Sequence, residues 1–227
     1  MIVAIDGPAG AGKGTLARRL AREFNLAYLD TGALYRAVGV RVLEMGADPA
    51  DPASAAHAAR TLDPSSLESA RLRDEDAGDA ASKVAAVPEV RAALLEFQRG
   101  FAKAPPSPCT GAVLDGRDIG TVVCPHADLK LYVTASAEER ARRRTLELQE
   151  KGFDAIQERV LADIIARDER DRDRTAAPLA EARDAFVLDT TEMDADTVFG
   201  LAAALFRSRA DQLAETEPEK SGKPDRP

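Results

Sequence analysis

Residues 7 to 15 read Gly-Pro-Ala-Gly-Ala-Gly-Lys-Gly-Thr, between the apolar run Ile2-Val3-Ala4-Ile5 and the amphipathic stretch Leu16 to Phe24. A strand, a glycine-rich loop and a helix in that order leave few folds open. The glycines let the backbone turn tightly, so successive N–H groups and the positive end of the following helix can point at one polyphosphate. Gly7, Pro8, Ala9, Gly10, Ala11, Gly12, Lys13, Gly14 and Thr15 are therefore expected to hold the phosphates of ATP, with Lys13 as a mobile cation for the outer ones. The spacing fits GxxxxGK, but Gly14 stands where the usual pattern has a hydroxyl for Mg²⁺. Thr15 is left to supply that hydroxyl, largely through water.

The 227 residues, 44% of them hydrophobic, suffice for one substantial core with excursions. A formal charge of −8 argues against a nucleic-acid or anionic-membrane binder, so any basic cluster must be local. Cys109 and Cys124 have no CxxC partner, and His57 and His126 are isolated, which fits a reduced cytoplasmic protein without a zinc site or a catalytic triad. No run reaches the roughly 18 apolar residues of a membrane span. No apolar interface stripe stands out, and a monomer is expected.

Further strands are expected at Leu26 to Leu29, Ala112 to Leu114, Leu129 to Val133 and Ala185 to Leu188. Between them, Asp30-Thr31-Gly32 reads as a turn with a helix from about Ala33. Residues 46–80 are weakly patterned, with one possible helix over Ser54 to Leu62. Ala81 to Phe101 reads as two helical pieces broken at Pro88. Ser136-Ala-Glu-Glu139 has capping-box spacing for a helix to about Glu150, and Asp154 is expected to cap the next one. There Ile156, Val160, Leu161, Ile164 and Ile165 form an apolar stripe. A final helix spans about Asp194 to Leu213, and 215–227 should be a disordered tail.

Alternating strands and helices imply an α/β fold, a three-layer P-loop arrangement with a parallel central sheet and helices on both faces. The phosphate loop, Asp30-Thr31-Gly32 and Asp115-Gly116-Arg117-Asp118 all follow strands and should line one cleft. Transfer of a phosphoryl group needs positive charge there, and Arg36, Arg91, Arg117, Arg167, Arg170 and Arg174 are available outside the loop. Spacings of three and four put Arg167, Arg170 and Arg174 on one helical face if the helix persists that far, although the same run could be solvated ion pairs. Arg140, Arg142, Arg143 and Arg144 read as an exposed basic face.

The chain resembles the bacterial cytidylate kinases, a branch of the nucleoside monophosphate kinases. The resemblance rests on Ile5 to Thr15, Leu29-Asp-Thr-Gly-Ala-Leu-Tyr-Arg36, Ser82-Lys-Val-Ala85 with Pro88 and Val90-Arg91, Asp115-Gly-Arg-Asp-Ile-Gly-Thr-Val-Val123, Gln149-Glu-Lys-Gly152 and Arg167 to Arg174. It implies Mg²⁺- and ATP-dependent phosphorylation of CMP and dCMP, with no nucleic-acid or membrane partner. It further implies a single kinase domain over 1–214, whose core is about 1–32, 104–150 and 180–214. Residues 33–103 would form a monophosphate-binding lobe and 151–175 a short lid.

By this resemblance Thr31, Arg36, Arg117 and Arg174 would seat the acceptor phosphate, and Arg167 with Asp171 would contact the ribose. Asp118 as acceptor and Arg91 as donor, assisted by Ser82, would read cytosine, whose N4 amino group donates and whose N3 and O2 accept. Lys13, Arg117, Arg170 and Arg174 would serve the transfer itself, the last two closing with the lid. The chain departs from the pattern in one place: many members carry an insert of short strands before the Ser82 segment, where Leu62 to Ala80 is short and polar.

Rival readings are weaker. An adenylate kinase would show DGFPR-like residues at 115–118, and a guanine switch needs an NKxD asparagine, whereas the sole asparagine is Asn25. A kinase for UMP or a shikimate-like metabolite, or a regulatory ATPase, stays open on the motifs alone.

Overall fold

The structure is a computed structural model that describes residues 1–63, 66–67 and 69–216. Its centre is a five-stranded sheet, all parallel, in the order β2-β3-β1-β4-β5. The strands are β1 (Ile2–Asp6), β2 (Leu26–Asp30), β3 (Gly111–Gly116), β4 (Leu129–Thr134) and β5 (Phe186–Asp189). The helices are α1 (Lys13–Glu23), α2 (Thr31–Glu44), α3 (Pro52–Arg60), α4 (Glu75–Val84), α5 (Pro88–Lys103), α6 (Ala137–Glu150), α7 (Gln157–Asp173) and α8 (Ala195–Thr216). The chain leaves β1 for one side of the sheet and later returns to the other, so a crevice opens at the carboxyl end of β1, between β3 and β4.

Both faces of the sheet are covered from β2 to β4, which is why those strands read as continuous apolar runs, while the edge strand β5 leaves Phe186 and Val187 exposed. Val3 and Ile5 of β1 pack with Leu16, Leu20 and Phe206 on the α1 and α8 side. Ala4, pointing the other way, packs with Leu114, Ile119 and Ala102 toward α5. A separate small core of Leu34, Val38, Val42, Ala55, Ala58, Val84, Val90 and Leu94 builds the lobe over α2 to α5. Among its described residues this lobe holds helices and a 3₁₀ turn at Ala70–Arg73 and no strand. Small residues let α2 and α4 nearly touch: a Cβ on Gly39 would lie 2.8 Å from that of Ala80.

Local chemistry explains most element boundaries. Asp30 accepts the Ala33 N–H at 3.0 Å and so starts α2 at Thr31, inside the triplet expected to be a turn. Likewise α1 begins at Lys13, three residues earlier than the apolar pattern indicates. Ser136 caps α6 as its spacing implies, accepting from Glu139 N–H at 3.1 Å, and Pro88 opens α5. Asp154 does not cap α7; Ile156 occupies that position and no side chain bonds the first turn. The expected stripe on α7 is only partly covered, because the helix packs on one side alone: Ile164 is buried, whereas Ile156 and Ile165 are 43% and 42% exposed.

Helix α8 continues to Thr216, so 215 and 216 belong to it rather than to a tail, and 217–227 lie outside the described residues. Among the described residues no helix is long and apolar enough to cross a membrane.

Candidate functional site: two cavities joined at the phosphate loop

Gly7 leaves β1 at φ +144, and a Cβ there would overlap the Val133 carbonyl oxygen, so only glycine lets the loop cross β4. The loop is then braced from inside: Lys13 Nζ donates to the Pro8 carbonyl at 2.7 Å. Burial, reinforced by the Arg117 cation, pushes the Lys13 ammonium down to about 7. Thr15 stands exposed at the mouth. Beneath the loop, Asp6 accepts the N–H groups of Ile119 and Gly120, both at 2.7 Å, and so fixes a single π-helical turn over Ile119–Val123. That turn begins directly after Asp118. Burial raises the Asp6 carboxyl to about 6.

At the carboxyl ends of β1, β2 and β3 lies a cleft of about 420 Å³. Ala9, Gly10, Gly12, Lys13, Gly14 and Thr15 form one end, and Thr31, Arg36, Ser82, Arg91, Arg117, Asp118, Arg167, Asp171 and Arg174 the other. Most residues expected at a site are thus brought together. Of the loop, Gly7, Pro8 and Ala11 fall outside this lining. Arg170 is also outside: it pairs with Asp79 of α4 at 2.8 Å. The single helical face expected of Arg167, Arg170 and Arg174 does not form, because α7 ends at Asp173 and Arg174 is extended beyond it, while Arg170 turns toward α4.

Seven basic side chains face five carboxylates in this cleft, within a chain of charge −8. Arg36 pairs with Asp30 at 2.6 Å, Arg117 with Asp171 at 2.9 Å, and Arg91 with Asp118. Ser82 Oγ donates to Asp171 at 3.4 Å, and Thr31 Oγ1 to the Asp115 carbonyl at 2.6 Å. Burial disfavours the ionised Asp171, but the Arg117 and Arg167 guanidiniums outweigh it and hold the carboxyl below its usual range. The balance is still incomplete. Burial, followed by Arg117, lowers Arg167 to about 10, and Arg167 Nε and Arg174 Nη2 are buried without a hydrogen-bond partner. Arg174 Nη2 is 3.8 Å from Asp118, beyond hydrogen-bond reach.

Arg18, Asp30 and Asp115 also line the cleft, although the motifs assign none of them a role of its own. Asp115 sits at the end of β3 beside Asp30, with burial raising its carboxyl to about 6. It accepts from Tyr28 Oη at 3.1 Å, and Arg18 lies 5.7 Å from the Tyr28 ring centroid. The arginines of α6 were expected on an exposed face, and two of them are not there. Arg140 is 3% exposed and ion-paired to Asp168, because its position turns it inward beneath the loop. Arg143 is half-buried and donates to the Thr190 carbonyl at 2.5 Å.

A second cavity, about 560 Å³, lies on the other side of the loop. Ala11, Leu16, Met193 and Val198 give it apolar walls, and Arg142 and Arg143 flank it. Gly12 and Thr15 line both cavities, so the two meet at the phosphate loop.

A profile described as cytidylate kinase matches residues 3–208. The chain belongs to the cytidylate kinase family. It is 61% identical to the cytidylate kinase of Paramagnetospirillum magneticum over 208 residues, 92% of this chain and 98% of that one. The cytidylate kinase of Rhodospirillum rubrum is 58% identical over 205 residues, 90% and 95% of the two chains. The fold is shared with the crystal structure of an uncharacterized protein from Eubacterium ventriosum, at a TM-score of 0.51 and 14% identity, over 92% of this chain and 99% of that one. As a nucleoside monophosphate kinase, the enzyme has two nucleotides to accommodate, and it has two joined cavities.

Proposed function

We propose that this kinase transfers the terminal phosphoryl group of ATP to CMP, giving CDP and ADP, and accepts dCMP as well. The observation that carries this reading is the incomplete neutralisation of the cleft: buried guanidinium N–H groups of Arg167 and Arg174 stand open where an anion would close them. Thr31, Arg36, Arg117 and Arg174 hold the acceptor phosphate, and Arg167 and Asp171 meet the ribose. Arg91 and Asp118, already paired, present a donor and an acceptor to the cytosine edge, with Ser82 beside them.

The donor triphosphate rests on Ala9 to Thr15, with Lys13 at its outer phosphates and its nucleoside in the second cavity. There Leu16, Met193 and Val198 supply apolar contact, and Arg142 and Arg143 offer planar guanidiniums to the base. Mg²⁺ fits the donor set. The exposed Thr15 hydroxyl and the Asp115 carboxylate are hard oxygen ligands, and Asp115 Oδ2 would lie 3.3 Å from a Cβ on Gly14. The ion would neutralise charge building up on the transferring group. No residue need remove a proton, because the acceptor is an ionised phosphate. Lys13, Arg117 and Arg174 position and neutralise, and Arg170 joins them once it leaves Asp79. The free thiols Cys109 and Cys124 support a reducing compartment.

ADP release from Mg²⁺-ATP with CMP, dCMP, UMP, AMP or no acceptor tests the reading. CMP should stimulate most; a rate no higher than the blank refutes the assignment. In Asp118→Asn the CMP-over-UMP preference in kcat/KM should drop about 5- to 150-fold, from the 1 to 3 kcal/mol attached to a mispaired buried polar group. Unchanged preference removes Asp118 from base readout.

Nucleotide binding should also take up a proton. With Lys13 at about 7 in the free enzyme, the ammonium is mostly neutral at pH 8, and a bound triphosphate restores the charge. Calorimetry at pH 8 in buffers of different ionisation enthalpy should show uptake, which fades below about pH 6 where Lys13 is already charged.

A further inference from the structure

Arg140 does something that none of its neighbours on α6 does. Arg142 and Arg144 pair with carboxylates of their own helix on the surface, whereas Arg140 points into the protein and uses its guanidinium in three directions. Nε donates to the Ala135 carbonyl at 2.9 Å, just before α6. Nη1 donates to the Ala9 carbonyl of the phosphate loop at 3.1 Å. Nη1 and Nη2 together grip the Asp168 carboxylate of α7 at 3.1 and 2.7 Å. The stem supports the loop too: a Cβ on Gly10 would lie 3.5 Å from that of Arg140.

Asp168 is 3% exposed at its side chain and follows Arg167 directly, one turn before Asp171 and Arg172. Arg167, Asp171 and Arg174 line the acceptor end of the cleft, and Ala9 and Gly10 line the donor end. The pair therefore joins the backbone of one nucleotide's loop to the helix that serves the other. A buried ion pair is weak support for stability, since apolar residues of similar size often do as well. A bidentate fork fixes direction as well as distance, which an apolar contact or a lysine cannot do.

We propose that Arg140 is a positioning residue that couples the two nucleotide sites, so that occupation of the phosphate loop favours the α7 placement that binds the acceptor. The inference deepens the assignment of ATP and CMP to the two ends of the cleft and rests on it. Coupling of this kind is reciprocal and is commonly about 5- to 150-fold.

The experiment measures the Kd of CMP for the full chain by calorimetry, with and without saturating Mg²⁺ and a non-hydrolysable ATP analogue. In the wild type the analogue should tighten CMP binding at least about fivefold. Arg140→Lys keeps the charge and loses the fork, so the factor should fall below about twofold while each ligand alone binds within about threefold of wild type. A double variant, Arg140→Met with Asp168→Leu, replaces the pair by apolar side chains of similar size and should also lose the coupling while folding. Thermal unfolding is followed in parallel. A variant with a lowered Tm and wild-type coupling shows a merely structural role and overturns the proposal, as does a wild type without coupling. If CMP neither binds nor stimulates ADP release in the wild type, the acceptor assignment falls, and the coupling with it.

Discussion

In Lys13→Met, kcat is expected to fall about 10²- to 10³-fold, the usual loss when one preorganised donor to a developing negative charge is removed. Methionine keeps the aliphatic stem in a site that is 7% exposed, so packing around the loop is preserved. The same substitution should raise thermal stability at pH 8. Folding lowers the Lys13 ammonium from 10.5 to about 7, so the folded state binds fewer protons than the unfolded chain across that window. Stability held back by this lysine is then recovered as pH rises toward 10.5, and is missing near neutrality. An apolar residue escapes that cost. Steady-state kinetics and thermal unfolding on one preparation check both signs; a variant that loses activity only because it melts earlier contradicts the account.

Asp168→Ala should destabilise the fold by about 3 to 5 kcal/mol, because it leaves the Arg140 guanidinium buried without its carboxylate. For a chain of this size that corresponds to a Tm lowered by about 6 to 20 °C. Arg172, 3.5 Å from Asp168 and 58% exposed at its side chain, pairs with the same carboxylate but reaches water, so its own loss of a partner should cost little. Denaturant unfolding of Asp168→Ala beside Arg172→Ala separates the two. Equal small effects would mean that the buried pair is not a structural constraint.

Much of the fold was legible because each strand carries its own local signal. Apolar runs bounded by glycine, aspartate or proline marked all five strands, and their separation by helices required parallel pairing. The phosphate loop was legible for the same reason, being a sequence-local device whose spacing is its geometry. The cleft behind it was assembled from Thr31, Arg36, Ser82, Arg91, Asp118 and Arg167, which no local pattern joins; the resemblance to a family grouped them, and the sheet topology brings them together.

What stayed hidden depends on direction. Arg140 and Arg142 are two residues apart on one helix, and their sequence context is equally polar, yet one is buried beneath the loop and the other faces solvent. A stripe of charge cannot tell which arginine meets a partner 28 residues away. Arg170 falls outside the cleft for a related reason: α7 stops at Asp173, so the arginine spacing that assumes a continuing helix does not give one shared face. The second cavity has no signal in the sequence because its walls come from α1, α6 and the segment after β5, each unremarkable alone.

The common wall of the two cavities has a practical meaning for ligands. Gly12 and Thr15 border both spaces, so the two meet across one short stretch of the phosphate loop, and a polyphosphate lying along that loop would make them one trough with a nucleoside at each end. A single molecule that tethers cytidine to adenosine through a polyphosphate would surrender its rigid-body freedom once rather than twice on entering that trough. The tether, not a tighter grip at either end, would be the source of its affinity.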